Sequence, residues 1–197
     1  ELPIILGHEA AGTVQTVGEQ VSYVQPGDRV ITCISKFCGG CEKCLSGRPV
    51  LCPHANSTRL PYDKPRIKQG STTINQMAGL ASFAEQMLVH ENAVVKVSED
   101  VPFEQLSLIG CGVTTGLGAV LNTAQVKPGS TVAIIGCGGV GLNCVQGAVL
   151  AGALRIIAID PIETKLTLAK EFGATNLINA SDGNTVKRVL DLTDGGV

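Results

Sequence analysis

The chain has 197 residues, with 15 Lys+Arg against 17 Asp+Glu and a formal net charge of −2, so neither a polyanion-binding surface nor a disordered acidic tail is expected. Hydrophobic residues make up 44% and charged residues 16%, enough apolar material for a sizeable core and too little charge for intrinsic disorder. Aromatics at 3% with no Trp leave no platform for base stacking, so nucleic acid is not expected as a partner.

From Gly12 to Cys33, valines and isoleucines at 14, 17, 21, 24, 30 and 31 alternate with Gly18 and Pro26-Gly27-Asp28, which predicts short strands joined by turns. Residues 38–52 form a compact cysteine lobe. Residues 53–80, with Pro53, Pro61 and Pro65 and no hydrophobic period, read as one long loop. Strand character returns over Phe83 to Val97 and stops at Asp100-Val101-Pro102. Phe103 to Leu121 reads as helix interrupted at Gly110-Cys111-Gly112. After the turn Lys127-Pro128-Gly129 come a strand (131–135), a helix (139–151), a strand (155–159), a helix (161–172), a strand (176–178) and a helix (185–192). Alternating strands and helices predict a parallel sheet covered on both faces. The change of grammar places a domain boundary near residue 113, between a mostly β domain (1–112) and an α/β domain (113–197). The uncharged run 130–154 is long enough for a membrane span, but three glycines between Ile135 and Val140 break it into strand, turn and helix, so no membrane association is expected.

Gly136-Cys137-Gly138-Gly139-Val140-Gly141 fits G-x-G-x-x-G between a predicted strand and a predicted helix. Gly136 permits the tight turn, Gly138 lets the backbone approach a pyrophosphate, and Gly141 lets the helix pack on the strand, with the phosphates at the positive helix start. Asp160, at the end of the next strand, is placed to accept hydrogen bonds from ribose hydroxyls and to repel a 2′-phosphate, which favours NAD over NADP. The plain alternative is a glycine turn that binds nothing.

Nothing over Glu1 to Glu9 resembles a secretory leader, so the eight cysteines are expected as thiols or metal ligands in a cytoplasmic protein. Cys38, Cys41, Cys44 and Cys52 are spaced C-x2-C-x2-C-x7-C, with Gly39 and Gly40 allowing the tight backbone that gathers sulfurs at one centre. Four thiolates saturate a tetrahedral zinc and leave no position for substrate, the mark of a structural site. Two disulfides or an iron–sulfur cluster are the alternatives. Cys33 reads as a buried spare thiol. His8, Glu9 and Cys111 are each unremarkable by spacing alone, and a satisfied histidine and a small buried thiol account for them equally well.

The segments GHEAAGTVQTVGEQVSYVQPGDRVI, CGGCEKCLSGRPVLC, GCGVTTG and VAIIGCGGVGLNCVQGAVLAGALRIIAID, in that order, resemble the zinc-dependent alcohol dehydrogenases of the medium-chain dehydrogenase/reductase superfamily. The resemblance implies an α/β plus β fold, a GroES-like catalytic domain followed by a partial Rossmann sheet. It also implies hydride transfer between an alcohol (or aldehyde or ketone in reverse) and NAD. His8 and Cys111 match two ligands of a catalytic zinc, Glu9 its acidic neighbour, and Cys38, Cys41, Cys44 and Cys52 a structural zinc. Thr115 and Val140 match positions bordering the nicotinamide, and Lys165 one near the adenosine ribose, beside Gly136, Gly138, Gly139, Gly141 and Asp160 at the cofactor. Zinc with three protein ligands would lower the pKa of the alcohol hydroxyl and favour hydride loss to NAD.

The resemblance also implies a cysteine ligand and a proton relay lying before His8, and a sheet of six strands of which three are encoded here. The chain is therefore expected to be a fragment, inactive by itself, with an unfilled sheet edge, of a protein that is a homo-dimer or homo-tetramer. Relatives that oxidise the glutathione adduct of formaldehyde, or aryl alcohols, share every motif quoted. A non-catalytic zinc-stabilised nucleotide-binding module is the reading from a different class.

Overall fold

A computed structural model describes residues 2–54, 66–98 and 100–197. The chain divides into two compact units, one ending at Cys111 and the other spanning Gly112–Val197.

The first unit is built from short strands. β1 (Ile4–Ile5) runs parallel to β5 (Thr72–Gln76), which pairs with β4 (Ile67–Gln69) as a hairpin turning at Gly70, φ 60°. This hairpin corrects the reading of 53–80 as a single loop. Each strand has a single apolar residue (IKQ and TTINQ), Ile67 opposite Ile74, so there was no hydrophobic alternation to detect, and threonine's β-branching and the glycine turn carry the structure instead. Residues 55–65 of that stretch lie outside the described residues. A second sheet is antiparallel, with β3 (Arg29–Thr32) between β2 (Ala11–Thr13) and β6 (Val94–Lys96). The strand expected over 83–97 is reduced to β6. Its other apolar stretch, Met87 to Val89, has no regular secondary structure, and among the described residues no strand pairs with it. Val24, Val30 and Val94 make a small core with Val14, Val21 and Val89 at its margin. The cysteine lobe adds α1 (Glu42–Leu45) and a 3-10 turn at Pro49–Leu51, neither of which buries a residue.

α2 (Phe103–Leu106) leads into a wide π-type turn, Ile109–Val113. α3 (Thr114–Gly118) opens the second unit's share of the helical run 103–123. That run is long and apolar enough, by length and composition, to cross a bilayer. Within it Gly110 packs on a carbonyl of β3, and Gly116 packs on the helix that follows the glycine turn.

The second unit follows the predicted alternation closely. β7 (Thr131–Ile135), β8 (Arg155–Asp160) and β9 (Asn176–Asn179) form a parallel sheet in the order β7-β8-β9. β8 shows why both faces must be covered. Ile156 and Ala158 point into a core with Val145 and Ala148 of α4 (Gly139–Leu150) and Leu166 and Ala169 of α5 (Glu163–Glu171). Ile157 and Ile159 point the other way, with Ile178, onto Val189 and Leu192 of α6 (Thr185–Thr193). Full burial of each isoleucine stabilises by about 1.5–3 kcal/mol. The apolar run 130–154 is thus a strand, a turn and a helix.

Candidate metal centres and dinucleotide turn

Residue 8 sits in the link between β1 and β2. Gly7 before it has φ 92° and is buried, and a Cβ there would lie 2.3 Å from Ser82 Oγ and 2.8 Å from Phe83 Cδ1. Only glycine lets the chain pass this wall, where Ser82 N–H donates to the Gly7 carbonyl and Phe83 N–H to that of Leu6. Gly7 opens one of the segments that carry the resemblance, but nothing in the sequence tied it to Ser82, because their contact joins positions 75 residues apart. Beyond Gly7, His8 Nε2 lies 3.3 Å from Cys111 Sγ, across 103 residues of sequence. The ligand atoms of His8, Glu9 and Cys111 all lie within 4.8 Å of one another, with His8 and Cys111 half-buried and Glu9 exposed. An imidazole and a thiolate sharing a tetrahedral zinc would stand about 3.6 Å apart, given bonds of about 2.0 and 2.3 Å. The pair needs only a few tenths of an ångström to fit one ion.

The lobe brings Cys38, Cys41, Cys44 and Cys52 together, also within 4.8 Å. Their Sγ–Sγ separations are 3.5 Å (41–44), 3.8 Å (41–52) and 3.9 Å (38–44). Four thiolates around one tetrahedral zinc stand about 3.8 Å apart, whereas a disulfide needs about 2.05 Å. The geometry suits one ion, and all four are free cysteines. Backbone N–H groups, that of Gly40 foremost, draw the Cys38 thiol down to about 6. Burial, reinforced by hydrogen bonding with Cys41, pushes Cys44 up to about 11. Cys33 stands apart from the set and accepts a hydrogen bond from Ser35 N–H.

In the second unit Gly136 (φ 91°) closes the turn and donates its N–H to the Ile159 carbonyl at 2.8 Å. A Cβ at Gly141 would fall 1.8 Å from the Gly136 carbonyl oxygen, so only glycine lets α4 start there. Gly138 and Gly139 face open space, where a phosphate could approach the backbone. Beside them a cavity of about 620 Å³ runs along Ile135, Gly136, Gly138, Gly139, Val140 and Gly141. Thr115 is exposed, and its neighbour Gly116 packs against the Val140 carbonyl, where a Cβ would sit 2.6 Å from the oxygen.

Asp160 is buried, and both of its oxygens are engaged. Oδ2 accepts from Cys137 N–H at 2.8 Å and Oδ1 from Ile162 N–H at 2.9 Å. These backbone donors, Cys137 first, and then the ammonium of half-buried Lys165 hold its carboxyl below the ordinary range. Strand order alone places this acid at the turn. Its bond to the turn's own backbone is visible only in the structure. Cys137, buried beside it, has its thiol pushed up by burial.

Comparison with known proteins agrees with this geometry. Residues 1–99 match the alcohol dehydrogenase GroES-like domain, and residues 139–197 match the zinc-binding dehydrogenase domain. A probable S-(hydroxymethyl)glutathione dehydrogenase 1 of Schizosaccharomyces pombe is 45% identical over 200 residues, covering 99% of this chain and 53% of that protein. An alcohol dehydrogenase class-3 of Oryza sativa subsp. japonica is 45% identical over 202 residues, with the same coverage. Among solved structures, an alcohol dehydrogenase zinc-binding domain protein from Burkholderia ambifaria superposes with a TM-score of 0.89 at 36% identity, over 100% of this chain and 55% of that one. Benzyl alcohol dehydrogenase from Acinetobacter calcoaceticus gives 0.86 at 38%, over 100% and 54%. The chain spans about half the length of the relatives it matches. With both domain models matched in order on a GroES-like unit followed by a partial Rossmann sheet, the chain belongs to the zinc-binding alcohol dehydrogenase family.

Proposed function

We propose that this chain carries the zinc sites and half of the NAD site of an oxidoreductase that moves hydride between an alcohol and NAD, with residues 1–112 as the catalytic part and 113–197 as the nucleotide-binding part. The observation that carries the reading is the approach of His8 Nε2 to Cys111 Sγ at 3.3 Å, from positions 103 residues apart. A zinc ion held there would polarise the alcohol or carbonyl oxygen, while NAD would take up or return the hydride.

The chain's own residues do the rest. His8 presents the Nε2 lone pair of a neutral imidazole and Cys111 a thiolate, which together offset part of the ion's charge. Glu9 adds a carboxylate beside them. Gly136, Gly138, Gly139 and Gly141 expose backbone N–H groups at the start of α4 for the pyrophosphate. Val140 and Thr115 border the nicotinamide end. The carboxylate of Asp160 meets the adenosine ribose and repels a 2′-phosphate, and Lys165 lies close to the same sugar. The cysteine lobe takes a second, purely structural zinc.

The substrate is a small alcohol or aldehyde. Its 45% identity to a probable S-(hydroxymethyl)glutathione dehydrogenase favours the glutathione adduct of formaldehyde, and its likeness to a benzyl alcohol dehydrogenase favours an aryl alcohol. The intact protein is a homo-oligomer of the cytoplasm on this reading. Elemental analysis of the intact protein tests it. Two zinc ions per chain are expected, one lost in Cys41→Ser and the other, together with NAD-linked alcohol turnover, lost in His8→Ala. Full zinc and turnover in His8→Ala would overturn the assignment. NAD-linked rates on S-(hydroxymethyl)glutathione and on benzyl alcohol then separate the two substrates.

A further inference from the structure

His8 and Cys111 lie on segments with no continuity of chain, yet one residue touches both segments. Thr32 ends β3 and is 5% exposed, and it and Asp160 are the buried polar side chains among the described residues. Its hydroxyl has two acceptors for its one proton, the His8 carbonyl at 3.4 Å and the Ala10 carbonyl at 3.3 Å, and its N–H donates to Ala10 at 2.9 Å. Its own carbonyl faces the turn that carries Cys111. A Cβ added at Gly110 would lie 1.8 Å from the Thr32 oxygen and 3.0 Å from its carbon. What a side chain at 110 would strike is backbone, which cannot swing aside.

We infer that Thr32 and Gly110 are positioning residues that set the separation of the His8–Cys111 pair. Thr32 ties the His8 segment to the end of β3 from one side. The missing side chain at 110 lets the Cys111 turn lie directly against the same peptide from the other. The inference rests on the reading of His8 and Cys111 as zinc ligands. Zinc accepts ligand distances within about 0.2 Å of ideal, so a shift of the Cys111 turn that relieves a 1.8 Å collision takes the sulfur out of range. Loss of the Thr32 hydroxyl acts more mildly, since the β-ladder remains and only the tether to the His8 segment is cut. Replacement of such supporting groups typically costs about 10–100-fold in metal affinity.

The test is zinc retention in the intact protein, measured by elemental analysis after dialysis against a graded chelator series. Thr32→Val keeps the branched shape and removes the hydroxyl, Thr32→Ser keeps the hydroxyl, and Gly110→Ala introduces the collision. His8→Ala and Cys41→Ser identify the zinc of each centre. Gly110→Ala is expected to lose the ion that His8→Ala loses while keeping the one that Cys41→Ser loses. Thr32→Val should weaken the same ion by about 10–100-fold, with Thr32→Ser near the parent. A purely structural role would disturb both centres or neither. If His8→Ala loses an ion that Thr32→Val and Gly110→Ala hold as tightly as the parent, the positioning inference is overturned. If His8→Ala keeps both ions, the ligand assignment itself fails and the inference with it. Should Gly110→Ala not fold, the Thr32→Val and Thr32→Ser pair decides alone.

Discussion

Asp160 engages one carboxylate oxygen with the glycine turn and the other with the entry to α5, so a single buried side chain holds two backbone segments in register. Its carboxyl is held below the ordinary range, first by the Cys137 N–H. A depressed folded pKa means that the native state favours the ionised form. The stabilisation is therefore fully present above the unfolded value of about 3.9 and is lost as the pH falls through the lower folded value. Asp160→Asn removes that acceptor charge and presents an amide N–H₂ where one of the backbone donors needs an oxygen. The variant should melt below the parent at pH 6, with the difference shrinking below about pH 4, where the parent also loses its charge. Because the turn itself loosens, affinity should fall for NAD and also for nicotinamide mononucleotide, which lacks the adenosine ribose. Unchanged binding of that fragment would confine Asp160 to the ribose.

At the scale of elements, the cysteine lobe and the parallel sheet are held by opposite means. α1 and the Pro49–Leu51 turn bury no side chain, and Leu45, Val50 and Leu51 are exposed at 76%, 69% and 58%. A segment with no core of its own depends on its ligands, and zinc binding supplies about 10–16 kcal/mol of folding free energy in small peptides. Limited proteolysis within 42–51 should therefore accelerate sharply in Cys41→Ser or after chelation, while cleavage of 131–193 is unchanged. Equal resistance with and without metal would show that the lobe is held otherwise. The same contrast explains what could be read in advance. The spacing of four cysteines and the strand-glycine-helix rhythm after Thr131 are local patterns, so the lobe, the turn and the three parallel strands were legible. The hairpin of β4 and β5, with a single isoleucine in each strand, has no hydrophobic alternation and was not. The proximity of His8 and Cys111 is non-local, and no spacing rule announces it. Here family resemblance raised what residue patterns left open, and the 3.3 Å approach then brought the two side chains together.

For the molecule as a whole, the decisive feature is that its hydrophobic core clusters are separate. Val24, Val30 and Val94 form the small valine core of the first unit. The second has a core on each face of its sheet, a larger one built around Ile156 and Ala158 and a small one of Ile157, Ile159 and Ile178. Units with independent cores need not unfold together. The first unit, with fewer buried apolar residues among those described and with both candidate metal centres, should be the less stable of the two. On the proposed function each unit also has its own ligand, zinc for the first and NAD for the second, and a ligand that binds only the native form stabilises it by about 2.7 kcal/mol at a hundred times its dissociation constant. Urea unfolding of the intact protein should accordingly resolve two transitions. Chelation should move the earlier one to lower urea and leave the later one in place, and NAD should move the later one to higher urea. A single transition shifted by both ligands together would mean that the two units unfold as one cooperative block.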